Sequence, residues 1–307
     1  MEKLNLNIEL IKFEVGREKY IREGKAFDSD FIESVRRCDA ILFGAVSTPH
    51  ESEIHNEYKS PILTLRKELD LFVNVRPSSN LATNNINQVI VFRENTEGLY
   101  SQIEYQKDDN IVVAEKIVSK DKTRKFAEYT FSYLRANKIK QATIVTKSNV
   151  LKKTDGMFAE ICNEVAQKYN KITVNEEYVD AACYHLVRNP ERFHAIITEN
   201  LYGDILSDLI AGLGDGLGMA ISKCYGKEIA LFEPVHGSAP DIAFNDLASP
   251  YAILLCCVAL LKYIGCIKQS EKLFEKIEDE LLKEHYTQDL GGEYKTSEIL
   301  TNIINNI

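Results

Sequence analysis

The length, composition and charge of the chain indicate an ordinary globular protein. Its 307 residues are 45% hydrophobic and 27% charged, and the formal net charge is −9. These values exclude wholesale disorder and leave room for about two domains. An acidic chain without a long basic run offers no electrostatic footprint for nucleic acid or for an anionic membrane surface.

Membrane insertion and secretion are not expected. The longest apolar run, residues 251–261, is well short of the roughly 20 residues that a membrane span needs. The first residues lack the basic-then-apolar pattern of a signal peptide. The seven cysteines form no Cys-x-x-Cys pair or zinc spacing, so free thiols in a reducing compartment are the simplest interpretation. We therefore expect a cytoplasmic protein.

Strand-like and helix-like patterns alternate along the chain. Short apolar runs predict buried strands at residues 39–45, 88–92, 141–146 and 195–198. Apolar residues at three- and four-residue spacing predict helices at residues 123–137 and 156–169, and two more between residues 270 and 307. Gly291 and Gly292 indicate a turn between these last two helices. The alternation predicts an α/β fold with a largely parallel or mixed sheet.

Three arginines, Arg66, Arg76 and Arg93, fall within 28 positions. Arg76 precedes a proline, which disfavours helix there, and Arg93 ends an apolar strand, from which side chains commonly reach a ligand crevice. Guanidinium groups match carboxylates with paired hydrogen bonds, so three converging arginines would suit a di- or tricarboxylate. The alternative is that each arginine pairs with a surface carboxylate.

The segment 200–208 holds two aspartates, Asp204 and Asp208, four residues apart. On a helix they would share one face, where their repulsion costs roughly 0.2–0.5 kcal/mol. A divalent cation bound between the two aspartates would replace their repulsion with attraction to the metal. Carboxylate oxygens suit Mg²⁺ or Mn²⁺. Asp180, which follows an apparent apolar strand, could complete such a site. The alternative is a helix N-terminal turn, where the dipole favours aspartate.

Lys147 and His236 are two further candidates for chemistry, and residues 212–218 form a glycine-rich run. Lys147 ends a strand and could act as a base if burial or positive neighbours depressed its pKa, although most lysines at strand ends are merely solvated. His236 lies in a turn-rich loop, for which packing is the default role. Residues 212–218 follow a helical pattern and do not match Gly-x-Gly-x-x-Gly, which excludes a Rossmann motif there.

Taken together, these segments resemble the β-decarboxylating dehydrogenases, which act on isocitrate, homoisocitrate or 3-isopropylmalate. The resemblance runs from about residue 8 to the C-terminus. It rests on motifs in the family's order: residues 65–71 (LRKELDL), 74–77 (NVRP), 93–100 (RENTEGLY), 147–149 (KSN), 200–208 (NLYGDILSD) and 233–242 (EPVHGSAPDI). It implies a two-domain α/β fold unlike the Rossmann fold, with the active site between the domains.

The family's domain division and functional residues carry over to matching positions. A discontinuous cofactor-side domain would join residues 1–71 to 216–307, and residues 72–215 would form the substrate and dimerisation domain. The implied substrate-binding residues are Ser60, Arg66, Arg76, Arg93 and Asn149. The implied ligands of Mg²⁺ or Mn²⁺ are Asp180, Asp204 and Asp208. The implied NAD-binding residues are His236, Gly237, Asp241, Ile242 and Ser249.

The family mechanism assigns two catalytic residues. Lys147 would take the hydroxyl proton as hydride leaves for the nicotinamide, and the resulting 2-keto acid would then lose its β-carboxylate as CO₂. Tyr100 would supply the proton to the enolate. In the family the lysine and one aspartate come from the neighbouring subunit, so the resemblance implies a homodimer or a higher homo-oligomer.

Local differences between family members predict the cofactor and the substrate. Asp241 and Ile242 match the family's NAD-type pattern. A carboxylate there favours NAD, because it accepts hydrogen bonds from ribose hydroxyls and repels a 2′-phosphate. Isocitrate enzymes usually have Ser-x-Asn ahead of the first arginine, whereas this chain has Ser60 followed by Ile62. Isopropylmalate enzymes have an upstream glutamate where this chain has Lys59. Homoisocitrate therefore leads narrowly over isocitrate, with 3-isopropylmalate as the alternative.

Three segments depart from the family pattern. The usual first strand and Gly-Asp-Gly-Ile-Gly-Pro-Glu loop have no counterpart in the chain. In the adenosine region, Phe244 replaces a glycine, Ser249 replaces an asparagine, and residues 221–226 replace Pro-Ser-Ala-Asn-Ile-Gly. These departures bear on cofactor affinity and leave a non-catalytic regulatory relative as a further alternative, although every catalytic position is filled.

Overall fold

The computed structural model describes residues 2–54, 58–78, 81–82 and 88–307. The strands in this part of the chain are β1 (Ala40–Leu42), β2 (Val73–Pro77), β3 (Ile90–Glu94), β4 (Glu104–Asp108), β5 (Ile111–Ala114), β6 (Gln141–Thr146), β7 (Thr173–Tyr178), β8 (Ala195–Thr198), β9 (Ile221–Tyr225) and β10 (Ala230–Pro234). The α-helices there are α1 (Arg17–Glu23), α2 (Phe31–Val35), α3 (Pro61–Glu68), α4 (Lys120–Ala136), α5 (Thr154–Ala166), α6 (Val179–Arg188), α7 (Asn200–Leu213), α8 (Tyr251–Tyr263), α9 (Ile267–Leu282) and α10 (Thr296–Asn306). None of these helices has the length and apolar character needed to cross a membrane.

Eight strands form one mixed sheet in the order β1-β10-β9-β2-β3-β8-β6-β7. Strands β3, β8, β6 and β7 run parallel to one another, and β1 is parallel to β10. Strand β9 is antiparallel to both β10 and β2, and β2 is antiparallel to β3. This sheet with its helices confirms the predicted α/β class. Strands β4 and β5 form a separate, solvent-exposed antiparallel hairpin.

The sequence patterns located most elements but misjudged one strand. Strands β6 and β8 have the predicted bounds, whereas β1 is shorter than the run at 39–45. The expectation that Asp180 follows an apolar strand was wrong. Strand β7 is a mostly exposed edge strand with polar residues, and Asp180 lies in the first turn of α6. An edge strand that is mostly exposed to solvent needs no continuous apolar run.

Helices cover both faces of the sheet because neighbouring strand residues point in opposite directions. Phe92 on β3 packs with α4 and α5 on one face, whereas Val91 packs with α6 and α7 on the other. At the far side of the sheet, Phe232 on β10 packs with α8, α9 and α10, and Leu231 packs with α2 and α3. Helix α7 therefore lies directly over strands β2 and β3, where two of the three arginines are placed.

Candidate active site

Arg76 on β2 and Arg93 on β3 both reach helix α7. Arg76 Nη1 donates to Asp204 Oδ1 at 3.1 Å and to Ser207 Oγ at 2.8 Å. Arg93 donates from Nε to Asn200 Oδ1 at 2.9 Å and from Nη1 to Asp204 Oδ1. The two arginine side chains are buried, and they converge on one carboxylate of the helix that the sequence predicted.

The close approach of α7 to Arg93 requires glycine at position 203. A Cβ atom at Gly203 would lie 2.6 Å from Arg93 Cγ, which is closer than real Cβ contacts. Asn200, Gly203 and Asp204 follow one another at helical three- and four-residue spacing, so they present one face to the arginine. The sequence Asn-Leu-Tyr-Gly-Asp thus allows the helix to pack closely against a buried guanidinium.

Tyr100 reaches the same aspartate from a third segment. It lies in the short 3-10 turn Leu99–Ser101, and its hydroxyl donates to Asp204 Oδ2. The guanidinium carbon of Arg93 lies 4.9 Å from the centroid of the Tyr100 ring. Burial raises the pKa of the Tyr100 hydroxyl, against the opposing effect of Arg93, so the phenol stays protonated at neutral pH.

The charges in this cluster influence one another strongly. Burial acts to raise the pKa of Asp204, but Arg93 and Arg76 outweigh it, so the net pKa is lowered. Burial raises the pKa of Asp208, whose Oδ1 lies 3.7 Å from Arg76 Nη1. Burial, followed by the neighbouring Arg76 and Arg66, lowers the pKa of Arg93 to about 10. An added anion beside Arg93 would therefore oppose the lowering of its pKa.

Arg66, in the last turn of α3, pairs with a different carboxylate from the one that binds Arg76 and Arg93. Its Nη2 donates to Glu233 Oε1 at 2.8 Å, and Ser222 Oγ donates to the same oxygen at 3.2 Å. Burial opposes the charge of Arg66, but Glu233 outweighs burial and raises the pKa of the guanidinium. Ser60 immediately precedes α3, and its hydroxyl makes no capping hydrogen bond. The arginines do pair with carboxylates, as the alternative expected, but they are buried and not at the surface.

Within the described part of the chain, three guanidinium nitrogens in this cluster have no hydrogen-bond partner: Arg66 Nε, Arg76 Nε and Arg93 Nη2. An unsatisfied buried donor costs about 1–3 kcal/mol. Carboxylate oxygens of a ligand would satisfy such donors with charge-assisted hydrogen bonds. Tyr100 also lines an open cleft of about 360 Å³, whose other lining residues are Leu63, Leu99 and Leu201 and the polar Gln102 and Glu104. The cluster therefore combines unused anion-binding capacity with an apolar wall.

Lys147 and Asp180 form a separate pair. Lys147 follows β6, and its Nζ pairs with the exposed carboxylate of Asp180 and lies 5.9 Å from the ring centroid of Tyr178. The hydrogen bond from Lys147 lowers the pKa of Asp180. Asn149, two residues after Lys147, is exposed to solvent. Among the described residues, no hydrogen bond or ion pair joins this pair to the Asp204 cluster.

A divalent metal fits only part of the predicted ligand set within one chain. Asp204 and Asp208 lie on one face of α7 and offer the oxygen donors that Mg²⁺ or Mn²⁺ prefers. Asp180 lies with Lys147 instead. Across the ranges that the structure describes, no group of three His, Cys, Asp or Glu side chains could hold a metal ion. The third predicted carboxylate would have to arrive from a second copy of the chain.

The predicted cofactor residues follow strand β10. His236 is half-buried, with Nδ1 2.9 Å from the Gly237 carbonyl oxygen, and Asp241 and Ile242 belong to the 3-10 turn Pro240–Ile242. The Asp241 carboxylate is exposed, as an acceptor for ribose hydroxyls must be. Ser249 is buried, and its hydroxyl donates to the Gly218 carbonyl at 3.1 Å. The structure thus places Ser249 in the packing beside α8 and not with the exposed loop residues.

Three members of the arginine cluster were not predicted: Asn200, Ser207 and Glu233. Each lies inside a motif that the sequence already singled out. Asn200 and Ser207 stand four residues before and three residues after Asp204, so helical spacing alone would have placed them on its face. The contact between Glu233 and Arg66 spans 167 residues, and no local pattern indicates it.

Comparison with known proteins identifies one family. A family model described as isocitrate/isopropylmalate dehydrogenase matches residues 1–303. The chain is 39% identical to homoisocitrate dehydrogenase of Methanocaldococcus jannaschii, covering 97% of this chain and 89% of that protein. It is 38% identical to 3-isopropylmalate dehydrogenase of Archaeoglobus fulgidus, covering 99% and 91%. It is 41% identical to a catalytic subunit of NAD isocitrate dehydrogenase of Arabidopsis thaliana, covering 92% and 76%.

Solved structures show the same architecture. Isocitrate dehydrogenase from Methylococcus capsulatus superposes with a TM-score of 0.92 at 31% identity, covering 99% of this chain and 92% of that one. A β-decarboxylating dehydrogenase from Thermococcus kodakarensis gives 0.82 at 32% identity, covering 99% and 89%. Relatives named for three different substrates therefore lie at nearly equal distance from this chain.

Proposed function

The chain belongs to the isocitrate/isopropylmalate dehydrogenase family and is an NAD-dependent β-decarboxylating dehydrogenase, and from this premise we propose its substrate, metal and assembly. The proposed substrate is homoisocitrate, with isocitrate next. The proposed metal is Mg²⁺ or Mn²⁺, and the proposed assembly is a homodimer or a higher homo-oligomer. The observation that carries the proposal is the cluster of three buried arginines with unpaired N–H groups beside Tyr100 and Asp204.

The arginine cluster suits a hydroxy acid with several carboxylates. Arg66, Arg76 and Arg93 each retain one unused donor, so a ligand that brings carboxylate oxygens would satisfy all three. Ser60 and Asn149 are proposed to add polar contacts, Ser60 from the start of α3 and Asn149 from a second copy of the chain.

Proton transfer is assigned to two side chains. Lys147 is proposed to take the proton of the substrate hydroxyl as hydride leaves the carbon that bears this hydroxyl. Tyr100 keeps its proton at neutral pH because burial raises its pKa, so it can donate to the carbanion carbon after CO₂ departs. Asp204 accepts a hydrogen bond from the Tyr100 hydroxyl and so fixes the orientation of that hydroxyl. A bound Mg²⁺ or Mn²⁺, held by Asp204, Asp208 and Asp180, would supply Lewis-acid polarisation of the substrate oxygens.

The position of Lys147 supports the homodimer. Within one chain it pairs with Asp180 and makes no contact with the arginine cluster. The surface near this pair exposes large apolar side chains, among them Val150 at 65%, Tyr184 at 62% and Val187 at 56%. We propose that the exposed apolar side chains of these two segments take part in the contact between subunits. We place Lys147 and Asp180 in the active site of the neighbouring subunit.

The proposed domain division agrees with the hydrophobic cores. All buried members of the two cores around α4, α5, α6 and α7 fall within residues 72–215. All buried members of the two cores around α2, α3, α8, α9 and α10 fall within residues 1–71 and 216–307. The arginine cluster spans the two groups, since Arg66 belongs to the second and Arg76 and Arg93 to the first.

NAD is proposed to bind along the loop after β10. The exposed Asp241 carboxylate would accept hydrogen bonds from ribose hydroxyls and repel a 2′-phosphate. His236, Gly237 and Ile242 are proposed to line the same site. Ser249 stays in the proposal only as a residue that supports the loop, because its hydroxyl is already engaged with the Gly218 carbonyl.

Substrate preference rests on the wall beside Tyr100. Ile62 offers no amide to a γ-carboxylate, and Leu63 lines the cleft with aliphatic surface, which favours the longer chain of homoisocitrate over isocitrate. The same apolar wall would accept an isopropyl group, so 3-isopropylmalate stays as the alternative substrate after homoisocitrate and isocitrate.

The proposal is tested by NADH formation from the three acids at equal concentration, with NAD⁺ and Mg²⁺ or Mn²⁺. We expect turnover that ranks homoisocitrate first, is lost with a chelator and falls sharply with NADP⁺. Asp204→Asn should abolish turnover, while Asp279→Asn on α9 should leave it unchanged. Turnover of none of the three acids would contradict the proposed chemistry and favour a non-catalytic relative.

A further inference from the structure

A second buried ionic cluster, formed around Lys116, lies next to the proposed site. Lys116 extends Nζ to Asp155 Oδ1 at 2.5 Å and to Glu199 Oε1 at 3.1 Å. The two carboxylate residues are only 1% and 3% exposed, respectively. Lys116 Nζ also lies 4.6 Å from the ring centroid of Tyr202. Charged groups are almost never buried this fully unless they are paired, so the cluster is a specific feature of the fold.

One end of this cluster holds the backbone of Lys147. Asp155 lies in the first turn of α5, and its second oxygen, Oδ2, accepts the main-chain N–H of Lys147 at 2.7 Å. The carboxylate therefore bridges the Lys116 ammonium and the backbone from which the proposed base projects. A shift of this carboxylate would displace the Lys147 backbone with it.

The other end of the cluster touches the arginine side of the proposed site. Glu199 immediately precedes α7, whose first residue, Asn200, accepts a hydrogen bond from Arg93. Glu199 Oε2 has no hydrogen-bond partner and would lie 2.9 Å from a Cβ atom at Gly98, where φ is +76°. Gly98 leads directly into the turn that carries Tyr100. One ion cluster thus contacts the segments that carry both proposed proton-transfer groups.

We infer that Asp155, held in place by Lys116, is a positioning residue for Lys147. The inference rests on the proposed function, in which Lys147 is the base. A misplacement of about 1 Å can cost roughly 100-fold in rate when a catalytic group must meet a fixed substrate. In the proposed dimer, Lys147 serves the neighbouring site while α7 and Tyr100 serve their own. The Lys116 cluster therefore fixes the donated residue relative to the retained ones.

Two variants of Asp155 separate positioning from simple charge pairing. Asp155→Asn loses the charge but keeps an oxygen acceptor at the same distance from the Lys147 N–H. Asp155→Glu keeps the charge for Lys116 but moves the acceptor by one methylene. We expect kcat within about fivefold of the wild type for the first variant, because the acceptor for the Lys147 N–H stays although the Asn NH₂ now faces the Lys116 ammonium. For the second we expect kcat about 10- to 100-fold lower, with the substrate KM unchanged within about twofold.

A matched control and the opposite outcome define the test. Lys125→Met removes an exposed lysine that pairs with Asp70, and it should change neither kcat nor KM. If Asp155 served only as an ion-pair partner, Asp155→Glu would be the more active variant. That order, or kcat losses that simply follow the melting temperatures, would overturn the inference.

Amide hydrogen exchange gives a readout that does not depend on activity. The Lys147 N–H should exchange as slowly in Asp155→Asn as in the wild type and at least about 10-fold faster in Asp155→Glu. Equal exchange in all three proteins would refute the positioning role. If the wild type oxidised none of the three acids, the proposed function would fail, and exchange would still decide whether Asp155 holds this backbone.

Discussion

The two charged regions of the proposed active site are built differently. The arginine cluster is buried, and Arg76, Arg93 and Tyr100 all contact Asp204 within one chain. Lys147 and Asp180 form an exposed pair that contacts none of them. The first region contains its own partners and contributes to folding. The second contributes little to folding, and in the proposed dimer it would act in the active site of the neighbouring copy.

The largest expected effect falls on the exposed region. Lys147→Met should lower kcat by about 10²- to 10⁴-fold, because a proton-transfer group is lost. The melting temperature should not change measurably, since exposed ion pairs contribute little to stability. Steady-state kinetics and thermal unfolding measure the two quantities on the same sample. Lys168→Met removes a comparable exposed pair with Glu128 and serves as the control. Retained activity in Lys147→Met would remove this lysine from the mechanism.

The buried region should respond in both activity and stability. Gly203→Ala places a methyl group against the stem of Arg93, so overpacking should destabilise the fold by about 1–3 kcal/mol. The displaced guanidinium should also raise the substrate KM, by roughly tenfold. Gly212→Ala in the same helix meets no atom within 4 Å and should be neutral or stabilising by up to about 1 kcal/mol. Equal stability of the two variants would contradict the packing described for α7.

A site remote from both regions should affect stability alone. Glu280 on α9 accepts hydrogen bonds from His285 Nδ1 at 2.7 Å and Asn302 Nδ2 at 3.0 Å. Burial acts to raise the pKa of Glu280, but His285, Asn302 and Lys283 outweigh it, so the pKa is lowered in the folded state. Its stabilisation is therefore present above the unfolded pKa and is lost as the pH falls through the folded pKa.

Glu280→Gln isolates this contribution. At pH 7 the variant should be less stable than the wild type by about 1–3 kcal/mol, and the difference should shrink below about pH 4. Denaturant unfolding across this pH range measures the difference. The kcat for the preferred acid should stay unchanged. A difference that grows on acidification would reverse the sign of the pKa argument.

Sequence reasoning succeeded where the signal is local. The i, i+4 spacing of Asp204 and Asp208 and the apolar runs of β6 and β8 depend on neighbours within one element, so periodicity indicates them. The pairing of Arg66 with Glu233 joins positions 167 residues apart, and the bridge from Lys116 to Glu199 spans 83. Such contacts depend on the order of strands in the sheet, which no local pattern encodes.

Subunit mixing tests the central claim, that the exposed and buried regions complete each other across two chains. Lys147→Met keeps an intact arginine cluster but donates no base, whereas Asp204→Asn donates a base but has a damaged cluster. Each variant alone should be inactive. Co-refolded at equal amounts, half of the dimers would be mixed with one complete site each, so about a quarter of wild-type activity should return. A mixture as inactive as its components would place Lys147 in its own chain's site and contradict the account.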